Sequence, residues 1–428
     1  MKLIIKNGRL IDPANNLDGL LDILIEDGKI AAIAENLMSA DAQLVDASGK
    51  IVCPGFIDMH VHLREPGFEY KEDIASGSRA AAAGGFTTIC AMPNTDPPVD
   101  NSVTASFIVE RAKKLGIVNV LPIGAITKKQ AGQELSAIAE LIEAGCVAIS
   151  DDGKPVARAD IMRNALEYAK MFNLPVLSHC EDIDLARGGL MHEGYFSTIY
   201  GLRGIPAAAE ELMVAREIIL AELTDAHVHI CHASTRGSMD LIRKARAQGI
   251  KVSCEVTPHH LTLSDEVVGS YDTDTKVNPP LRSSEHIEAL RAALQDGTVD
   301  CIATDHAPHH FESKDCEYEL ASFGISGLET AVAVIMDQLV KPGALGINQM
   351  VSLFATGPAR VLGIDKGSLA LGQTADITII DPQATKKVNP NNFYSKGRNT
   401  PYKNMELTGW PWMTIVNGNV VCREGMVI

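Results

Sequence analysis

The feature that most constrains the fold is a repeated alternation of short apolar segments and amphipathic segments between about residues 53 and 364. The amphipathic segments, such as 102–115, 135–144 and 206–223, have helical periodicity. The apolar segments predict eight strands, over 56–62, 87–92, 118–124, 146–150, 175–179, 227–232, 251–257 and 300–305. Strands joined by helices run parallel, and eight of them close into a barrel. We therefore expect an α/β fold built on a (β/α)8 TIM barrel.

The two ends of the chain have a different pattern. Residues 3–52 and 366–428 consist of short strand-like segments separated by NG, DG, KG and GQ turns. Two separate β extensions would each leave sheet edges and an apolar face exposed, so one small β-sandwich built from both termini is expected. The predicted domains are a discontinuous sandwich of residues 1–52 and 365–428 and a catalytic barrel of residues 53–364.

Composition and charge limit the kinds of binding partner and the cellular compartment that are expected. The net charge of −16 opposes nucleic-acid binding, and an anionic small molecule would need a local basic pocket. Apolar runs stay well short of the roughly 20 residues of a membrane-spanning helix, and the first residues do not resemble a secretion signal. We therefore expect a cytoplasmic protein without a membrane partner. The nine cysteines form no CxxC pair, which is typical of reduced core thiols.

The strongest chemical signal is the segment DMHVHLR, residues 58–64, at the end of the first predicted barrel strand. Side chains two residues apart on a strand point the same way, so His60, His62 and Arg64 project together. Paired imidazoles of this kind suit zinc and similar metals. Asp58 lies one step back on the same face, where it is expected to orient a ligand.

Further metal-ligand candidates follow later strands, at the end that forms the catalytic face of such a barrel. They are His179 after strand five, His232 after strand six and Asp305 after strand eight. A single histidine at such a position is usually structural. Three strand ends that meet on the same face as the HxH motif predict a metal site instead.

Strand four ends in two adjacent carboxylates, Asp151 and Asp152. The bulky residues at odd positions of this strand suit the face packed on helices, whereas the small Ala148 and Ser150 leave space inside the barrel. Asp152 shares the parity of these small residues and is predicted to be the ligand. A bend after Ser150 would exchange the two carboxylates, and the sequence leaves this open.

Five other histidines and one arginine have weaker signals. His227 and His229 lie deeper in strand six and are expected to pack or hydrogen-bond, whereas His192 and His286 are expected at the surface. His259 and Arg282 are secondary candidates that the ligand set does not include.

Together with the segments DMHVHLREPG, AMPNTDPP, SDDG, CEVTPHHL, NPPLR and ATDHAPH, these residues resemble the cyclic amidohydrolase family over nearly the whole chain. Many members bridge two metals with a carboxylated lysine on strand four, which this strand lacks, since Lys154 lies beyond the turn. The pattern is similar to a bacterial branch that has an aspartate instead and acts on dihydroorotate in pyrimidine biosynthesis. That resemblance implies two zinc ions, one on His60, His62 and Asp305 and the other on His179 and His232, with Asp152 bridging them.

The resemblance also implies metal-assisted hydrolysis of a ring amide. Metal coordination lowers the pKa of water to roughly 7, and Asp305 is the expected general acid/base toward the departing ring nitrogen. The implied substrate-binding residues are His62, Arg64, Asn94, Asn278 and His309, with the backbone amides of Phe323 and Gly324. Arg64 would supply a bidentate fork for a ring carboxylate. Judged by the residues alone, Asn94 and Asn278 lie beside prolines and fit turn chemistry equally well.

Several alternatives stay open. A hydantoinase or allantoinase shares this chemistry without needing Arg64, Asn94 and His309 for a carboxylate, and an inactive barrel that acts as a scaffold for another pyrimidine enzyme is a different class of function. The polar segment 309–322 is predicted either as a mobile lid or as a rigid loop. A small anionic substrate is expected, dihydroorotate or carbamoyl aspartate. A homo-oligomer and an association with aspartate transcarbamoylase are further expectations.

Overall fold

A computed structural model describes residues 2–428 and contains a closed barrel of parallel strands. We number its strands β1 to β8: Phe56–Val61, Phe86–Ala91, Asn119–Pro122, Ile149–Ser150, Val176–Ser178, Val228–Ile230, Val252–Val256 and Cys301–Ile302. The first three form one ladder and the other five a second ladder. Backbone bridges between Gly124 and Ile149 and between Val61 and His306 close the ring. The predicted TIM barrel is confirmed.

Several strands are shorter than the sequence predicts, because the chain turns away where the functional residues begin. The prediction for β8 extends to residue 305, but the strand ends at Ile302, and Asp305 has a left-handed φ of 47°. His232, beyond the end of β6, has a φ of 33°. Such conformations leave the ladder and aim the side chains across the mouth of the barrel.

Helices surround the barrel and begin where their sequences provide caps. The Asn101 side chain, for example, accepts a hydrogen bond from Thr104 N at 3.1 Å, which satisfies an amide that the first turn leaves unpaired. The longer helices are Ile74–Ala83, Ser102–Leu115, Ala159–Lys170, Ala208–Thr224, Arg236–Ala247 and Ser284–Gln295. Shorter ones are Ile138–Glu143, Ile183–Ala186, Tyr195–Tyr200, Pro258–Thr262, Ala331–Ile335, Ile347–Val351 and Gly357–Leu362, with π-helical turns at Met336–Val340 and Ser352–Thr356.

The two ends of the chain together form a β-sandwich. One sheet has the order Lys29–Ala34, Asp22–Glu26, Lys2–Lys6 and Gln43–Asp46. The other has the order Met426–Val427, Asn419–Arg423, Glu406–Val416, Ile377–Lys387, Ile51–Pro54, Arg9–Asp12 and Leu17–Leu20. Residues of both ends share one apolar core, in which Leu3 and Ile23 pack with Ile377 and Ile415. The strand Ile51–Pro54 crosses the predicted domain boundary after residue 52, so the exact limits stay a prediction.

The barrel has an inner and an outer apolar layer. Ile57, Met59 and Leu177 belong to the cluster inside the strands, whereas Ile149 packs in the cluster between strands and helices. The filled interior closes the barrel below its carboxyl end, so a ligand can enter only from that end. All nine cysteines have free thiols, and all except Cys316 are buried. Among residues 2–428, no helix combines the length and hydrophobicity that a membrane crossing requires.

Candidate metal centre and substrate cavity

The two histidines of the HxH motif meet two carboxylates at the carboxyl end of the barrel. His60 Nε2 lies 3.2 Å from Asp152 Oδ1, and His62 Nε2 lies 3.1 Å from Asp305 Oδ1. All four side chains are buried. The structure thus brings together residues from β1 and from the loops after β4 and β8.

The histidines from the loops after β5 and β6 lie on another side of Asp152. His179 Nδ1 and His232 Nε2 are 3.7 Å and 3.5 Å from Asp152 Oδ1 and 2.9 Å from each other. Because the same oxygen faces His60, the Asp152 carboxylate lies between the two pairs of histidines. The resemblance implies a bridging role for Asp152, and this role stays a prediction.

The neighbouring Asp151 points away from this cluster. Its Oδ1 accepts a hydrogen bond from Thr127 N at 3.0 Å, and its Oδ2 accepts one from the Thr127 hydroxyl. Asp151 therefore braces the loop after β3, and no bend after Ser150 exchanges the two carboxylates.

The cluster fits a metal ion. His60 Nε2 and Asp152 Oδ1 are buried and have no hydrogen-bond partner within residues 2–428. Buried polar atoms are normally satisfied, so two unsatisfied atoms that face each other indicate a missing ligand. Within each of three sets, the candidate ligand atoms lie within 4.8 Å of one another. Two sets contain only histidines and carboxylates, namely His60, His62 and Asp305, and Asp152, His179 and His232, whereas the third joins His60 and Asp152 to Cys231. Imidazole and carboxylate donors suit zinc and similar divalent ions.

The electrostatics of the cluster favour a bound cation. Burial by itself would raise the pKa of Asp305, but the neighbouring His60 and His62 outweigh it and lower the pKa to about 2. The same opposition of burial and histidine charges lowers the pKa of Asp152 well below its usual value. Both carboxylates are therefore ionised at neutral pH and available as anionic ligands.

A cavity of about 250 Å³ opens directly above the cluster. Its lining includes every predicted ligand except His60, together with every predicted substrate-binding residue. Arg64 has a left-handed φ of 59°, and its Nε donates to Pro308 O at 3.3 Å. Burial lowers the pKa of Arg64 to about 10, so the guanidinium stays charged at neutral pH. Within residues 2–428 no carboxylate forms an ion pair with Arg64, which leaves this half-buried cation available for an anionic ligand.

His309 is held beside Arg64. His309 Nε2 lies 2.9 Å from Phe323 O, and Arg64 Nη2 approaches the same nitrogen to 3.5 Å. Burial and the charges of Arg64, Lys71 and Lys314 lower the pKa of His309 to about 2. The ring is therefore neutral, and if Nε2 donates to the carbonyl, Nδ1 is an acceptor.

The other predicted substrate contacts have mixed outcomes. Asn94 Oδ1 lies 2.9 Å from His62 Nδ1, so its amide hydrogens remain available. Asn278 Nδ2 donates to Glu181 Oε1 at 3.0 Å. The expectation for Gly324 needs a correction, because its N–H already donates to Lys276 O at 2.9 Å and is not a free donor. The Phe323 amide stays a prediction.

Sequence analysis missed two carboxylates that lie beside the candidate ligand histidines. Glu255 Oε1 lies 2.6 Å from His60 Nδ1, and Glu181 Oε2 lies 3.6 Å from His179 Nε2. The parity of β7 would have placed Glu255 inside the barrel, and Glu181 follows His179 by two residues. Asp58, which was expected to orient a ligand, instead accepts hydrogen bonds from Thr304 and from the His60 amide, so that it ties β1 to the end of β8.

The structure also bears on the predictions for His192 and for the segment 309–322. The prediction that His192 lies at the surface is wrong, because it is buried and Arg282 Nη1 approaches its Nδ1 to 3.2 Å. In the segment 309–322, Lys314 Nζ donates to Thr273 O at 2.9 Å, and Tyr318 O accepts from Lys276 Nζ at 2.8 Å. These contacts favour a rigid loop.

Known proteins resemble this chain along its whole length. Residues 49–238 match a dihydro-orotase-like family model, and residues 220–422 match an amidohydrolase family model. The dihydroorotase of Pelotomaculum thermopropionicum is 56% identical, and that of Acetivibrio thermocellus is 52% identical, each over 100% of both chains.

Solved structures show the same architecture. An L-hydantoinase (dihydropyrimidinase) from Arthrobacter aurescens superposes with a TM-score of 0.91 at 27% identity, covering 100% of this chain and 97% of the other. A D-hydantoinase superposes with a TM-score of 0.88 at 25% identity, covering 100% and 96%. The hydantoinases thus share the fold at low identity, whereas the dihydroorotases share more than half of the residues along the whole chain. The protein therefore belongs to the dihydroorotase family of cyclic amidohydrolases.

Proposed function

We propose that the protein interconverts (S)-dihydroorotate and N-carbamoyl-L-aspartate by reversible hydrolysis of a ring amide, a step of pyrimidine biosynthesis. One observation carries the proposal. A single cavity of about 250 Å³ lies over two sets of candidate metal ligands and beside the half-buried guanidinium of Arg64. The first feature suits amide hydrolysis, and the second suits a substrate with a carboxylate on the ring.

Two zinc ions are the proposed cofactor. His60, His62 and Asp305 would hold one ion, His179 and His232 the other, and Asp152 would bridge them. The unsatisfied His60 Nε2 and Asp152 Oδ1 support this assignment. Ions bound there supply an activated water at neutral pH and polarise the amide carbonyl.

Asp305 is the proposed general acid/base. It is ionised at neutral pH and lies at the floor of the cavity, where it can accept a proton from the attacking water. Water adds to the amide carbon, the bond from that carbon to the ring nitrogen breaks, and the proton held by Asp305 passes to the nitrogen. In the reverse direction the same carboxylate accepts the proton from the attacking amide nitrogen.

Arg64 is the proposed anchor of the ring carboxylate. The amide hydrogens of Asn94, whose oxygen faces His62, and the neutral ring of His309 would complete the recognition of the carboxylate and the ring. Asn278 would bind the ring on the opposite side, held by Glu181. The Phe323 amide is the remaining proposed donor.

The cellular setting is also a proposal. We expect a cytoplasmic homo-oligomer that takes a small anionic substrate and associates with aspartate transcarbamoylase. Size-exclusion chromatography with light scattering tests the oligomer. Co-purification of the two enzymes at native abundance tests the association, and a purely monomeric protein or a separate elution of the two would reject these expectations.

The decisive experiment compares turnover of dihydroorotate, hydantoin and allantoin at measured metal content. We expect turnover of dihydroorotate to dominate and to vanish in Asp305→Asn, which keeps an oxygen ligand but cannot carry the proton. Asp152→Ala should lose metal, whereas Asp151→Asn should keep both the metal and most of the activity. Full activity of Asp305→Asn would refute the mechanism, and a preference for hydantoin would identify a hydantoinase.

A further inference from the structure

Glu255 lies on β7 directly beneath the metal-ligand cluster and is completely buried. Its Oε1 is 2.6 Å from His60 Nδ1 and also accepts a hydrogen bond from His232 N at 3.2 Å. His60 belongs to one ligand set and His232 to the other. A single carboxylate oxygen therefore contacts both sets, and the proposed reaction uses neither contact.

The contact with His60 selects one form of its ring. A carboxylate only accepts hydrogen bonds, so Nδ1 of His60 must carry a hydrogen, and Nε2 is the nitrogen whose lone pair a bound metal would take. Nε2 is the atom that faces Asp152 and has no hydrogen-bond partner within residues 2–428. The short distance to Glu255 is typical of a charge-assisted hydrogen bond, which fixes the ring plane and makes Nε2 a better donor to a metal.

The contact with His232 acts on the backbone. His232 has a φ of 33°, which non-glycine residues seldom adopt, and this turn aims its ring at Asp152. Glu255 accepts the His232 N–H through its side chain and the Ala233 N–H through its own carbonyl at 2.9 Å. The side chain and the backbone carbonyl of Glu255 therefore both stabilise the strained turn at His232.

A chain of polar side chains supports the other oxygen of Glu255. His229 Nε2 lies 3.3 Å from Oε2, and His229 Nδ1 lies 2.7 Å from Ser253 Oγ. His227 Nε2 lies 2.7 Å from the same hydroxyl. Every contact is satisfied if His227 donates to Ser253, Ser253 to His229, and His229 to Glu255. The chain thereby compensates the buried negative charge.

We propose that Glu255 is a positioning residue that couples the two metal sites, orienting the His60 ring of one and the His232 turn of the other. The inference rests on the proposed metal centre. Glu181 differs from Glu255 because it approaches a histidine of the second set, His179, at 3.6 Å. Loss of the Glu255 charge should therefore weaken both binding events, whereas loss of the Glu181 charge should weaken one.

The test uses Glu255→Gln with Glu181→Gln as the matched control. Glutamine has nearly the same shape, its oxygen can accept from His60 and His232, and its amide can donate to His229, so the change removes mainly the charge. Apo-proteins are equilibrated with zinc in chelator-buffered solutions, and bound ions are counted by elemental analysis. We expect both ions to bind roughly 10- to 100-fold more weakly in Glu255→Gln.

Far-ultraviolet circular dichroism of the apo-proteins shows whether each variant is folded. Folded Glu255→Gln that binds both ions with wild-type affinity would overturn the proposal, as would weakening of one binding event alone. If the variant does not fold, cobalt-substituted wild type decides. The His60 Nδ1–H should give a slowly exchanging, paramagnetically shifted proton signal, and its absence would overturn the proposal. A wild-type protein that binds no ion would refute the metal centre itself.

Discussion

Replacement of Arg64 by methionine tests substrate recognition most directly. The apolar stem is retained, while the guanidinium that lines the cavity is lost. Two charge-assisted hydrogen bonds to a ring carboxylate contribute about 1.5–3 kcal/mol each. A total loss of about 3–6 kcal/mol corresponds to a decrease of roughly 100- to 20,000-fold in kcat/KM for dihydroorotate. The native contact of Arg64 Nε with Pro308 O is long, at 3.3 Å, so its loss adds little.

The assay compares dihydroorotate with dihydrouracil, a neutral ring that lacks the carboxylate. Because Arg64 then has no charge to bind, kcat/KM for dihydrouracil should change less than about fivefold, a loss below about 1 kcal/mol. Arg64→Lys keeps the charge but lacks the fork, and it should lose an intermediate amount. Metal content is measured for each variant. An equal loss for both substrates at full metal content would show that Arg64 acts on the metal centre or the fold, and would refute the assignment.

Three further predictions concern stability. Burial lowers the pKa of Lys314 to about 8, below its usual 10.5, so the unfolded chain binds more protons between these pH values and the wild type should become more stable as pH rises through them. The rise in the free energy of unfolding is at most about 3 kcal/mol, and it should be absent in Lys314→Met. Urea unfolding at a series of pH values measures it, and the same pH dependence in the wild type and the variant would contradict the reasoning. The centre of the buried Phe56 ring lies 5.3 Å from that of Phe354. Phe56→Ala should therefore lower the free energy of unfolding by about 3–5 kcal/mol. A decrease below about 1 kcal/mol would mean that neighbouring side chains fill the cavity. Chelation of metal should lower the Tm, and added zinc should restore it in a concentration-dependent manner, whereas a Tm independent of metal would argue against binding to the folded state.

Local patterns were sufficient for much of the site. Alternation along a strand places His60 and His62 on one face, and the same parity favours Asp152 over Asp151 without excluding a bend after Ser150. Barrel topology then placed His179 and His232 at the same end as the HxH motif. These inferences work because a strand has a period of two residues and parallel strands present their carboxyl ends together.

Local sequence patterns do not predict contacts between residues that are far apart in the chain. Nothing near Glu255 in the chain indicates that it meets His60, 195 residues away, because the contact depends on how β7 faces β1 across the barrel. The Gly324 amide was predicted to be free, but the loop around Lys276 occupies it. His192 was placed at the surface because its neighbours are polar, and only the tertiary packing against Arg282 buries it.

The sequence by itself determined the strand and helix alternation and the parity of the HxH motif, and it predicted the candidate metal ligands. It did so because these properties depend on spacing along one strand or on the order of strands. Only the tertiary structure decided which polar atoms remain without partners and which carboxylates lie beside the candidate ligand histidines. It also decided which backbone N–H groups already donate a hydrogen bond within the protein. Those properties depend on distances between segments far apart in the chain, and barrel closure alone sets these distances.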